Sequence, residues 1–140
     1  MKTAIITLSQ KGLVLAAKLK ESMALADMFV HLDVTADSSV QTFDRVIALT
    51  DKIFNKYQGL VYIMPTGVVV RAIAPKAQSK LTDPAVVAID VTGRFAISLL
   101  SGHEGKANEL TLDVANILDA EPVISTTTEA EKIFIIGIGC

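Results

Sequence analysis

Between Asp83 and Ile124 the sequence leaves few ways to fold. Residues 86–91 and 95–100 are short apolar runs rich in β-branched and aliphatic side chains, and the link Thr92-Gly93 is short enough to make them an antiparallel hairpin. A polar, glycine-bracketed turn comes next, Ser101-Gly102-His103-Glu104-Gly105. From Lys106 to Leu118 the residues Ala107, Leu110, Thr111, Val114, Ala115, Ile117 and Leu118 fall near one face, the pattern of an amphipathic helix. Pro122 to Ser125 reads as the next strand. A glycine-flanked loop that opens a helix is where a chain can present a few polar side chains, so chemistry is sought there first.

The flanking sequence fits the same kind of architecture. Lys2 to Leu8 is apolar without a helical stripe, hence a buried strand, and Ser9 is placed to cap a helix whose Leu15, Ala16, Leu19, Met23 and Ala26 share a face. Met28 to Val34 reads as a second, weaker strand before the polar loop 35–39. From Val40 to Tyr57 the residues Val40, Phe43, Ile47, Ile53, Phe54 and Tyr57 trace one helical stripe, which Gly59 ends. Leu60 to Met64 is a further strand, and Pro65-Thr66-Gly67 leads into Val68–Ile73. There β-branching favours a strand, whereas a crossover back over the sheet requires a helix; Thr66 as N-cap and Pro75 as stop decide for the helix. With 51% hydrophobic and 20% charged residues in 140, the expected fold is one α/β domain, a mostly parallel open sheet with one antiparallel hairpin and helices on both faces. Residues 133–138 form another apolar run beyond the polar linker that starts near Thr126.

Several function classes are argued against by composition. Thirteen basic and fifteen acidic side chains give a formal net charge of -2, with no basic block and only five Phe and two Tyr, so nucleic acid is not an expected partner. The single cysteine, Cys140, allows no internal disulfide and no metal-ligand spacing, which suits a reducing cytosol. The apolar start is too short for a signal core, and no apolar stretch approaches the ~20 residues of a membrane helix. The expectation is a soluble, cytoplasmic chain with no membrane partner and no metal of its own.

In open α/β sheets, ligands lie beyond the carboxyl ends of the strands. Two turns qualify, Pro65-Thr66-Gly67 and Ser101-Gly102-His103-Glu104-Gly105, each with glycine for close backbone approach and a helix N-terminus that favours an anionic group. They are expected to meet in one cleft for carboxylates or a developing oxyanion. Neither is a dinucleotide or Walker fingerprint. His103 is the histidine placed for general acid or base work, with a turn-stabilising role as the alternative; His31 lies in a strand and reads as structural. Ser101 lacks a nucleophile-elbow context and reads more as a loop hydrogen-bonder than an acylated residue. Asn108 either caps the helix or points its amide at substrate. Arg71, Lys76, Lys80 and Lys106 are available to acidic ligands, Arg71 best among them; Asp83 and Asp90 either shape turns or orient a base.

These residues also carry a resemblance. Met64-Pro65-Thr66-Gly67-Val68-Val69-Val70-Arg71-Ala72-Ile73-Ala74-Pro75, Lys80, Asp83-Pro84-Ala85-Val86-Val87, Gly93, Leu99-Leu100-Ser101-Gly102-His103, Gly105, Ala107-Asn108 and Pro122-Val123-Ile124 follow in order the pattern of the CbiG family of cobalamin biosynthesis proteins. The likeness covers most of residues 59–128. It implies the anaerobic route to cobalamin and a cobalt-precorrin-5A hydrolase, which opens a lactone on the macrocycle and releases acetaldehyde. The substrate would be a tetrapyrrole carrying its own cobalt, so no separate cofactor is implied. Carried over in this numbering, the catalytic group is His103, Ser101 and Asn108, and the substrate-binding group is Thr66, Gly67, Arg71, Lys80, Asp83, Gly102, Gly105 and Thr126. Arg71 and Lys80 would position peripheral carboxylates, while amides near Gly67 and Gly102 would stabilise the oxyanion.

The chain departs from the family pattern in three places. Lys106 stands where the usual loop has a second glycine, 124–127 differs slightly, and 134–140 resembles the first strand of the family's C-terminal domain, the rest of which is absent. Residues 1–128 are therefore expected to be the N-terminal-like domain, and 129–140 a linker and first strand. The hydrophobic edge 133–138 would seek a partner, either a separate C-terminal domain or another copy in a homo-oligomer. Two other readings stay open: a non-catalytic tetrapyrrole-binding module or subunit of a split protein, and an unrelated acyl hydrolase using His103.

Overall fold

The computed structural model describes residues 1–127. The chain runs β1 (Thr3–Thr7), α1 (Gln10–Ser22), β2 (Asp27–His31), β3 (Gln41–Phe43), α2 (Val46–Ile53), β4 (Gly59–Ile63), α3 (Thr66–Ile73), β5 (Ala85–Ile89), β6 (Phe95–Leu100), α4 (Ala107–Leu118) and β7 (Glu121–Val123). Among the described residues the strands form one seven-stranded sheet in the order β3-β2-β1-β4-β5-β6-β7. Neighbours are parallel except β5 and β6, the antiparallel hairpin expected around Gly93. No helix among the described residues is long and apolar enough to cross a membrane.

Every side chain of β1, β4 and β5 is buried, as unbroken apolar runs require when helices cover both faces. Alternate residues feed two cores. Ala4, Ile6, Leu60, Tyr62, Val86 and Ala88 pack under α2 and α3; Ile5, Val61, Ile63, Val87 and Ile89 pack under α1 and α4. Tyr62 closes the first core by bonding Thr50 Oγ1 at 2.6 Å, and burial pushes its hydroxyl up to about 12, so it remains neutral and structural. Ser9 caps α1 as its sequence position implies, accepting from the Gly12 amide at 3.0 Å.

Two expectations need correction. The stripe from Val40 to Tyr57 is not one helix: residues 41–43 form edge strand β3, and α2 begins only at Val46, leaving Ile47 exposed. Phe43 is drawn into the sheet instead, ring to ring with His31 at 5.7 Å, and Phe29 and Phe43 share the first core. At α3 the cap is Pro65; Thr66 is already helical, and no side chain caps the helix. The run at residues 133–138 lies outside the described residues.

Candidate functional site

The hairpin decides where the polar turns go. Ile63 of β4 stands beside Ile89 of β5, so Pro65-Thr66-Gly67 leaves the sheet at the end where β5 finishes. Because β6 runs backwards, Leu100 stands beside Val86, near the start of β5 and of β4, and the histidine turn leaves at the opposite end. A five-residue strand at ~3.3 Å per residue separates the ends by roughly 15 Å. The single cleft expected from the sequence therefore does not form. Thr66 and Gly67 lie at one edge and Ser101, Gly102, His103, Gly105 and Asn108 at the other. Lys80 and Asp83 join the second group, because the turn that feeds β5 reaches the same edge. Arg71 belongs to neither turn; it sits exposed in the last turn of α3.

At the first edge, α1 and α3 diverge to opposite faces after β1 and β4, a topological switch point. The Thr66 and Gly67 amides make no hydrogen bond among the described residues, and a methyl group on Gly67 would meet open space.

The second edge is built more closely. A β-bulge slips the β5–β6 register between Val86 and Val87, after which Ser101 takes a φ of 60°. The Ser101 and Gly102 carbonyls then accept from the Ala107 and Asn108 amides at 3.1 and 3.0 Å. The first amides of α4 are thus already taken by the turn itself, so the expected anion site at this helix N-terminus is closed. The amides of His103, Glu104 and Gly105 make no hydrogen bond among the described residues and are the donors this turn offers. His103 is exposed. Gly105 is packed so tightly that a Cβ there would come within 2.5 Å of Ser101 Cβ, and one on Gly102 within 2.8 Å of Thr126 Cγ2. These glycines are required by close approach of backbone to neighbours.

Asn108 holds this edge together. Its side chain is buried and accepts from Ser98 Oγ at 2.9 Å while donating to Thr126 Oγ1 at 2.9 Å. The amide expected to point at substrate is spent in tying β6, α4 and the segment after β7. Ser98 was not among the residues singled out from the sequence. It shares a face with Ala96 in an apolar strand, and its half-buried hydroxyl finds its partner in Asn108. Ser101 Oγ is buried with no hydrogen-bond partner among the described residues. The Asp83 carboxylate accepts from the Gln78 and Ser79 amides at 2.9 and 3.2 Å, which fixes the 78–83 turn. Two clefts of about 510 and 500 Å³ flank the edge; Met1 and Lys106 line both, and Asp83, Glu104 and Gly105 line the second.

Residues 48–129, more than half of the chain, match the protein family described as cobalamin synthesis G N-terminal. This chain belongs to that family. Two curated relatives, each named cobalt-precorrin-5A hydrolase, come from Priestia megaterium and Salmonella typhimurium; both are 39% identical, over 134 and 130 residues, or 92% of this chain. The chain spans only 36% of the length of either. A crystal structure of a cobalamin biosynthesis protein G homolog from Sulfolobus solfataricus superposes with a TM-score of 0.68 at 26% identity, covering 89% of this chain and 36% of that one. Membership in the cobalamin synthesis G N-terminal family bears out the resemblance carried by the Pro65–Pro75, Asp83–Val87 and Leu99–Asn108 segments. Lys106, placed by the sequence where a glycine was expected, has a φ of 68°, in the left-handed region that glycine adopts without strain.

Proposed function

We propose that this chain is the amino-terminal lobe of a cobalt-precorrin-5A hydrolase and that its contribution to the site lies at the histidine edge. The observation that carries the reading is the pair of hydrolases 39% identical across 92% of the chain. Their greater length supports a second lobe, supplied by a separate C-terminal domain, that completes the site. The substrate is a tetrapyrrole ringed with carboxylates. Its cobalt arrives with it, and this lobe holds no metal or cofactor of its own. We assign the reaction to the cytoplasm, where a lone cysteine stays reduced.

In this mechanism the His103 imidazole takes a proton from the water that attacks the lactone carbonyl. The free amides of His103, Glu104 and Gly105 are the donors available to the tetrahedral oxyanion, in place of the α4 amides. Collapse of that intermediate gives a carboxylate and a free hydroxyl. Loss of the hydroxyl proton then breaks the adjacent carbon-carbon bond, releasing acetaldehyde as the macrocycle accepts the electron pair. Lys80 and Lys106, both exposed at this edge, pair with peripheral carboxylates. Asn108 and Asp83 act through the turns they hold and not on substrate.

The test is acetaldehyde release from cobalt-precorrin-5A by this chain fused to the remainder of the Priestia megaterium relative. His103→Ala should lower kcat by about 10²-fold or more, the scale of general base catalysis. Spectral binding of the macrocycle without acetaldehyde from the unsubstituted fusion would mark a non-catalytic tetrapyrrole-binding module instead.

A further inference from the structure

The edge that carries the histidine turn also carries three large apolar side chains that nothing in the fold requires to be there. Leu25, in the turn from α1 to β2, is 93% exposed; Leu81, in the turn before β5, is 71% exposed; Met1, ahead of β1, is 57% exposed. Single exposed leucines need no explanation. These three are arranged. Met1 and Leu25 line one cleft, Met1 and Leu81 line the other, and Lys106 stands in both. Glu104 in one cleft and Glu109 and Asp113 in the other give this apolar band a charged rim. The last described residues also lie at this edge: Thr126 is bonded to Asn108 beside Gly102.

We infer that Met1, Leu25 and Leu81 form the docking surface for the polypeptide lobe that follows this region in the longer relatives. The inference rests on the reading of this chain as an amino-terminal lobe and names the face that meets its partner. Each curated relative is mostly composed of residues this chain does not match, and the family is described as an N-terminal one, so the unmatched lobe of those relatives follows the matched region in sequence. A lobe tethered there reaches the adjoining clefts at high effective concentration. The groove between α2 and α3, about 600 Å³ and bordered by exposed Ile47, is the competing apolar surface, but none of the last described residues lines it. Docking at the histidine edge would also put His103 in a cleft between two lobes, where substrate pockets often lie.

The experiment compares amide hydrogen exchange in the 140-residue chain alone with exchange in a fusion where this chain replaces the matching region of the Priestia megaterium relative. Exchange at residues 22–26 and 80–82 should slow by about tenfold or more in the fusion. Leu25→Glu with Leu81→Glu should restore the fast rates while far-UV circular dichroism stays unchanged, because neither side chain belongs to a core. Unchanged exchange at both segments, or slowing confined to residues 45–51 and 68–76, overturns the inference. So does slowing in the chain alone that grows with its concentration, which would make a second copy the occupant. The Salmonella typhimurium relative serves as recipient if the first fusion does not fold. Exchange is read without substrate. A fusion that docks but releases no acetaldehyde overturns only the catalytic reading, and one that releases acetaldehyde without protection overturns only the docking surface.

Discussion

A side chain in the left-handed region costs roughly 1–2 kcal/mol, and Lys106 sits there with a φ of 68° directly after the tightly packed Gly105. Glycine would remove that cost but would lose more chain entropy on folding, about 0.5–1 kcal/mol. Lys106→Gly should therefore stabilise the protein by about 0.5 kcal/mol, read as a higher urea midpoint at constant m-value. A lower midpoint would mean that the lysine makes up for its backbone in some other way. The identities of the turn residues were legible from sequence, because glycine spacing signals a constrained backbone. Their partners were not: the sequence leaves Asp83 between shaping a turn and orienting a base and Asn108 between capping and substrate, and only their packing reveals Ser98, Thr126 and the Gln78 and Ser79 amides.

At the scale of the element, the hairpin is held by Asp90. Burial works to raise its carboxyl, but hydrogen bonds from the Thr92 hydroxyl and from the Phe95, Thr92 and Arg94 amides outweigh it and hold the group below its usual range. A carboxyl depressed by folding contributes stability that is complete above its unfolded pKa, near ~3.9, and is lost as pH falls through the lower folded value. Thermal unfolding of Asp90→Asn should lie below that of the parent at neutral pH, with the gap closing as pH drops beneath about 4. A gap independent of pH would assign the hairpin's stability to the turn geometry alone. The hairpin was readable because two β-rich runs with a two-residue link have one local solution. The strand β3 was not, because Phe43, Ile47 and Phe54 happen to fit a 3.6-residue stripe although Phe43 belongs to the sheet and Ile47 to solvent. A three-residue edge strand reached without an intervening helix leaves no periodic trace of its own.

For the whole molecule, the consequence of the hairpin outweighs the content of either turn. The reversal at β6 puts the turn that follows Leu100 at the end of the sheet opposite Pro65-Thr66-Gly67, so residues that look like one site by composition are two by topology. That reversal was implicit in the Thr92-Gly93 link, and the rule that ligands lie beyond the strands' carboxyl ends hides it: the carboxyl end of β6 is at the amino ends of β5, β4 and β1. The two ends make separable kinetic predictions. If the macrocycle is held at the histidine edge, Lys80→Ala removes one exposed charge pairing worth up to about 1 kcal/mol and should raise KM for acetaldehyde release roughly fivefold with kcat preserved. Thr66→Val, about 15 Å away along β4, should leave both constants within about twofold. The reverse pattern, with Thr66→Val raising KM and Lys80→Ala silent, would put the carboxylates at the β1–β4 switch point, where the Thr66 and Gly67 amides stand open. Since both side chains are exposed and outside either core, neither substitution should disturb folding, and a change in KM reports on where the ring sits.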